Sequence, residues 1–384
     1  MYMSSRKKTV ISSRLQSETK KWRFSREDTT VVKGVAIVLM LLHHAFFFPN
    51  RISPSCYQFS FITLGNTSSM SFLADYGKIC VALFFFLSGF GLMKARGASA
   101  GVRIFKSLRK LLISYWRVLL SFVPIGFVFF ANLPHNYAID PNITEAWSDR
   151  SLETAVQSLF GMSESYNHEW WFLSAFILTI MTMPVFEVAL RKFRTFWSGL
   201  AFVAGIEFTF TAIVPFMESA SFPIYIENSF VFCRIVHGIK LSTPFYMGML
   251  MGSKDYFSEL HDTLRTCDLT SPFAALLALI GTVLLRNCIF GESSDPFTVP
   301  IVALAIKDLA DAIKPLKHCF LALGQHSTTM WLTHTFLLYY YCENLQSFIM
   351  FQHWWVITLV WFVAVSFFVS FLFDRLWLSI LDNR

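Results

Sequence analysis

Val31-Val32-Lys33-Gly34-Val35-Ala36-Ile37-Val38-Leu39-Met40-Leu41-Leu42-His43-His44-Ala45-Phe46-Phe47-Phe48 decides the fold. Lys33, His43 and His44 interrupt a run that is otherwise apolar. A run of ~18–20 such residues is what a helix needs to cross ~30 Å of hydrocarbon. Further runs of this kind stand at roughly 78–95, 112–131, 170–189, 196–217, 230–252, 271–290, 297–313, 322–342 and 354–374. The expectation is an all-α, polytopic integral membrane protein with about ten transmembrane helices. Composition agrees: of 384 residues, 54% are hydrophobic, 17% aromatic and only 15% charged. A soluble domain has about 45–50% apolar and about 25% charged residues. Forty-three Phe and eleven Trp with so few charges exclude a disordered chain, a coiled coil and an ordinary cytosolic enzyme.

No polar block is long enough for a separate soluble domain. The chain divides into a basic segment at 1–30, a transmembrane domain at 31–375 and a tail at 376–384. The charged stretch before the first run is too long, and the run lacks the cleavage site, for a signal peptide. Of the net charge of +7, much sits before residue 27 (Arg6, Lys7, Lys8, Arg14, Lys20, Lys21, Arg23, Arg26) and between Lys94 and Arg117. With ten spans, the even-numbered connections hold most of the cations that follow the first span, among them Lys94, Arg103, Lys106, Arg109, Lys110, Arg191 and Lys317, and the odd ones little beyond Arg51 and Arg150. That asymmetry places both termini in the cytoplasm of a multi-pass cell-membrane protein. Membrane lipid accounts for the basic charge, and nucleic acid is not needed. The seven Cys are scattered without any CxxC, so neither a disulfide framework nor a metal site is readable.

Ionisable groups inside a bilayer are costly and are functional candidates. Lys33 and His44 are eleven residues apart, ~16 Å of rise and three turns plus about 20°. They share one helical face, while His43 points roughly 80–100° away. An imidazole can take a proton near neutral pH. The structural alternative is a snorkelling Lys with two satisfied His. Glu207 lies mid-span, and Arg234, His237 and Lys240 share a broad face from which a buried ion pair with Glu207 could form. Ser327 and His334 share a face, but ~10 Å of rise is too far for a nucleophile–base contact. His334 is instead expected to line a cavity. Two long external loops, 49–77 and 132–169, include Asp140, Pro141, Glu145, Trp147, Asp149 and Tyr166, residues suited to a polar ligand such as a sugar.

Several segments resemble the acyltransferase-3 family of integral membrane O-acyltransferases. Lys33-Gly34-Val35-Ala36 through His43-His44 is similar to the family's opening stretch, a basic residue followed eleven residues on by His. Phe84-Phe85-Phe86-Leu87-Ser88-Gly89-Phe90 resembles its "FFxLSGF" helix. His168-Glu169-Trp170-Trp171-Phe172-Leu173-Ser174, Phe245-Tyr246-Met247-Gly248-Met249, and Leu323-Gly324-Gln325-His326-Ser327 with Trp331-Leu332-Thr333-His334 complete the set in order. The chain departs from the family at Lys106-Ser107-Leu108-Arg109-Lys110, less Arg-rich than usual, and at Ser114, where a Pro is usual.

The resemblance implies transfer of an acyl group, usually acetyl, from cytoplasmic acyl-CoA to a hydroxyl of an extracytoplasmic or lipid-linked glycan. His44, Lys33 and His334 are then the catalytic candidates. Arg103, Lys106, Arg109 and Lys110 are candidates for the CoA phosphates. His43, His168, Trp171, Ser88 and Glu207 are candidates on the substrate side. Acetyl-CoA would be a donor substrate; no permanently bound cofactor and no metal is expected. The competing reading is a transporter or flippase of a polyprenyl-linked glycan. It predicts inverted repeats and paired broken helices, and the sequence shows neither.

Overall fold

The computed structural model describes residues 22–53, 56, 63–64, 67–95, 97–131, 152–217, 230–352 and 354–382. The basic cluster Arg6–Lys21, Arg96, Asp140 to Arg150 in the second long loop, and the side chain of His237 lie outside this description.

The main helices are α1 (Arg26–Phe46), α2 (Ser69–Gly77), α3 (Ile79–Lys94), α4 (Ala100–Phe129), α5 (Leu152–Leu159), α6 (Trp171–Met181), α7 (Met183–Lys192), α8 (Phe196–Met217) and α9 (Phe230–Ser253). They continue as α10 (Tyr256–Thr266), α11 (Pro272–Leu284), α12 (Asp295–Ala312), α13 (Lys314–Thr335), α14 (Glu343–Met350) and α15 (Trp355–Asp382). Two-residue strands, Thr63–Leu64 and Thr67–Ser68, pair antiparallel beside α2. Ser25 starts α1 through a capping box with Asp28, which satisfies two of the helix's orphan donors. Ser99 and Ser271 cap α4 and α11 in the same sense.

A helix stands at each of the ten apolar runs, but length and apolar character together admit fewer as spans. Six described segments pass: Arg26–Phe46, Ser69–Lys94, Ala100–Phe129, Phe196–Met217, Pro272–Ala312 and Trp355–Ser379. A seventh is added if the pair His168–Met181 and Met183–Lys192, bent by 44°, counts as one. Two expected runs merge in Pro272–Ala312, and the helices at 230–253 and 314–335 fall short in apolar character. Their polar residues include Arg234, Ser327 and His334, all buried against protein. The last helix runs on to Asp382, into the segment expected to be a tail.

Burial separates an inner group from an outer one. Of the most apolar window, 61% is buried in α1 and 67% in α2–α3, but only 11% in α8 and 22% in α15. The outer helices present Phe208, Phe216, Leu276, Ile280, Val360 and Phe368 to the surroundings, as a lipid-facing shell does.

Glycine sets the inner crossings. A Cβ on Gly34 would meet the Phe320 carbonyl oxygen at 2.0 Å, and one on Gly324 would meet that of Thr30 at 1.9 Å. The α3–α9 crossing repeats the device: Gly89 would meet the Phe245 carbonyl at 2.1 Å, and Gly248 that of Phe86 at 2.0 Å. Such small residues let backbones approach where side chains would hold them apart. They seat α1, which carries Lys33 and His44, directly on α13, which carries His334.

Candidate functional site

A cavity of about 410 Å³ runs along the inner helices. At one end stand Lys33, Ser107, Lys110 and Ser114; at the other, Phe48, Arg51, His168, Glu169 and Arg234. His43, His44, Ser88, Trp171, Ser327 and Trp331 also line it. The helical spacing that put Lys33 and His44 on one face thus puts both on one cavity.

His44 holds the best-defined position. Its Nδ1 is fully buried without a hydrogen-bond partner among the described residues and lies 4.0 Å from Glu169 Oε1. Nε2 is therefore the nitrogen left to meet the cavity. The carboxylate favours the tautomer with a proton on Nδ1 and stabilises a positive charge arriving on the ring. Glu169 is itself fixed: Oε1 accepts from Arg51 Nη1 at 2.7 Å and Oε2 from the Tyr340 hydroxyl at 2.8 Å. The Tyr339 hydroxyl donates to the His44 backbone carbonyl. Both tyrosines come from a π-helical turn, Phe336–Tyr340, that widens the end of α13, a distortion often found at functional sites. The Arg51 guanidinium also lies over the Phe48 ring, 4.4 Å from its centroid.

His334 is fully buried and is not on the cavity wall. Its ring centroid is 5.0 Å from that of His44, and its Nδ1 donates to the Trp331 carbonyl at 2.8 Å. Nε2 is then an unprotonated acceptor, buried with no hydrogen-bond partner among the described residues. His334 thus sits behind His44, where it shapes that ring's surroundings, and does not line the cavity as expected. His43 does line it, but its Nδ1 donates to the Ala74 carbonyl at 2.8 Å, which turns the ring toward α2.

The four cations expected at the CoA phosphates divide. Lys110 lines the cavity. Lys106 and Arg109 are exposed on the same stretch of α4, off the lining. Arg103 is buried, with Nη2 on Glu187 at 2.5 Å and Nη1 on the Leu92 carbonyl at 2.8 Å, so it ties α4 to α7 and α3 instead of facing a ligand. Ser88 and Trp171 are on the wall, and the half-exposed His168 stands at the Arg51 end.

Glu207 is not in this cavity, and Arg234 is not its partner. Arg234 Nη2 binds Glu164 Oε2 at 2.7 Å, with His168 Nδ1 3.6 Å from the same oxygen. Burial pushes the Glu164 carboxyl up to about 8, Arg234 pulls it down, and Glu169 adds to the rise. Spacing along one helix identified the Arg234 face but could not choose between two distant carboxylates.

Glu169, Arg51, Tyr339 and Tyr340 were not singled out from the sequence. Glu169 had a readable signal, a carboxylate opening an apolar run between His168 and a Trp pair. The tyrosines sit in an aromatic run, and only the widened turn distinguishes them.

A neutral imidazole facing a cavity, a carboxylate behind it and a cationic mouth at the far end suit proton abstraction beside a bound anionic carrier. The family model of the acyltransferase-3 family, described as an acyltransferase domain, matches residues 28–375. No curated protein and no solved structure matches the chain.

Proposed function

The chain belongs to the acyltransferase-3 family, and from that premise we propose that this multi-pass membrane acyltransferase moves an acetyl group from cytoplasmic acetyl-CoA to a hydroxyl of an extracytoplasmic or lipid-linked glycan. The observation that carries this reading is the shared cavity, with Lys33 and Lys110 at one end and His44, backed by Glu169, toward the other. In this reading the Lys33 end faces the cytoplasm of a cell-membrane protein, and both termini lie on that side.

CoA phosphates are held at the mouth by Lys110, with Lys106 and Arg109 adding positive field. The pantetheine arm extends inward along the ~16 Å between Lys33 and His44, bringing the thioester to the imidazole. His44 Nε2 takes the proton of the acceptor hydroxyl as its oxygen attacks the thioester carbonyl. The C–S bond of the resulting tetrahedral adduct breaks, the proton passes from His44 to the thiolate, and an acetyl ester and free CoA remain. Glu169 stabilises the imidazolium between these two transfers. Fixing both reactants in one cavity supplies much of the acceleration.

Comparing acetyl esters on the cell's glycans with and without the gene tests the reading. Loss of one acetyl ester class on deletion, restored by the wild-type gene and not by His44→Ala, is the expected result. Unchanged glycan acetylation would refute it.

A further inference from the structure

The main cavity leaves Glu207 unexplained. Glu207 lies on the wall of a second cavity, also about 410 Å³, within the range of ligand-binding pockets. Thr211, Lys240, Glu292 and Asp295 stand on the same wall, and Phe210 adds an aromatic face. Lys78 and Trp171 line both cavities, so the two chambers share a partition.

That partition is held by a charge network. Lys78 Nζ binds Glu292 Oε1 at 2.5 Å. The buried Arg286 donates from Nε to Asp295 Oδ1 at 2.9 Å and from Nη1 to the Asp75 carbonyl at 3.0 Å. Lys78 immediately precedes α3, Asp295 is the first residue of α12, and Glu292 lies in the turn just before it. The second chamber therefore sits toward the Arg51 end, away from Lys33 and Lys110.

The chemistry of the wall narrows the occupant. Carboxylates at Glu207, Glu292 and Asp295 face ammonium groups at Lys78 and Lys240, with Arg286 behind Asp295. This mixed lining offers an anion no net positive field, and an acyl chain would leave charged groups desolvated. A neutral polyol satisfies both signs, because each hydroxyl donates and accepts. We propose that this second chamber binds a neutral glycosyl unit of the acceptor and presents its hydroxyl past Lys78 and Trp171 to His44. The inference rests on the acyl-transfer reading above and adds to it where the acceptor sits and that the bound unit is uncharged.

The test is saturation-transfer NMR on the full chain in lipid nanodiscs, without acyl-CoA. The probes are the methyl β-glycosides of glucose, galactose and N-acetylglucosamine, and methyl β-glucuronide. Thr211 and Ser293 are exposed residues on the chamber wall, so Thr211→Trp and Ser293→Trp fill the space without disturbing the core. At least one neutral glycoside should bind, with the glucuronide at least about tenfold weaker. Each Trp variant should lower the neutral signal at least about tenfold, while His44→Ala keeps it. Retained acetyl-CoA binding by the Trp variants confirms that they fold. No neutral glycoside binding, equal binding in both Trp variants, or preference for the glucuronide would each overturn the site. Radiolabelled acetyl-CoA separates the two ideas. Glycoside binding without any acetyl transfer to glycan would refute the acyl-transfer reading and leave the site, whereas transfer that both Trp variants leave unchanged would refute the site alone.

Discussion

At the scale of single residues, the proposed chemistry belongs to His44 and the carboxylate behind it. His44→Ala should lower acetyl transfer about 100- to 10,000-fold, the usual worth of a general base, while insertion and acyl-CoA binding stay normal. His43→Ala should cost far less, because that ring is turned to the Ala74 carbonyl. Glu169→Gln should reduce turnover by only about 10- to 100-fold, below the ~10⁴-fold loss seen when a directly bonded orienting acid is removed, because 4.0 Å is not a hydrogen bond. Turnover and Michaelis constants measured on the purified protein check all three.

Glu164 gives a pH-dependent prediction of known sign. Its carboxyl is pushed up to about 8 in the folded chain, against an ordinary value of 4.5. Between those limits the folded protein keeps a proton that the unfolded chain has released. Stability should therefore be fullest below about pH 4.5 with respect to this group and fall by ~1.4 kcal/mol per pH unit up to about 8. Glu164→Gln should flatten that slope, as read from denaturation midpoints across the range. Lys33 and His44 were legible because a helix's period is fixed and one face can be counted along the chain. Glu169 was not, because its meeting with His44 depends on how two distant segments pack.

At the scale of elements, four of the resemblance segments contain glycines that let helices touch. Gly34, Gly89, Gly248 and Gly324 stand where a Cβ would strike backbone carbonyl oxygen within 2.1 Å. Backbone cannot yield as a side-chain tip can. Gly89→Leu or Gly324→Leu should therefore destabilise by about 3 kcal/mol or more and lower the yield of folded protein. Gly91 is the internal control, on α3 with nothing among the described residues within 4 Å of where a Cβ would stand. Gly91→Ala should be neutral or stabilising by up to ~1 kcal/mol. Thermal unfolding in detergent, followed by size-exclusion recovery, separates the two classes. The helices themselves were legible as apolar runs, and the run at 196–217 matches α8 to the residue. Hydropathy is weakest at 230–253 and 314–335, since inner helices can carry polar residues that never meet lipid.

At the scale of the whole molecule, one cavity joins a cationic mouth to the His44 imidazole, and a second chamber adjoins it across Lys78 and Trp171. Replacing Lys106, Arg109 and Lys110 together with Gln should raise the acetyl-CoA Michaelis constant at least about tenfold and change the saturated rate much less. Orientation in the membrane must be checked by tag accessibility in the same variant. An unchanged acetyl-CoA dependence in a correctly oriented protein would leave these residues with a topological role only. In the proposed reaction, donor and acceptor meet at His44. The most direct measurement is a structure of the full chain with a non-hydrolysable thioether analogue of acetyl-CoA. The nucleotide should lie at Lys110 and the acetyl carbon beside His44 Nε2. An analogue whose acetyl end lies away from His44, or whose nucleotide sits at the Arg51 end, would contradict it.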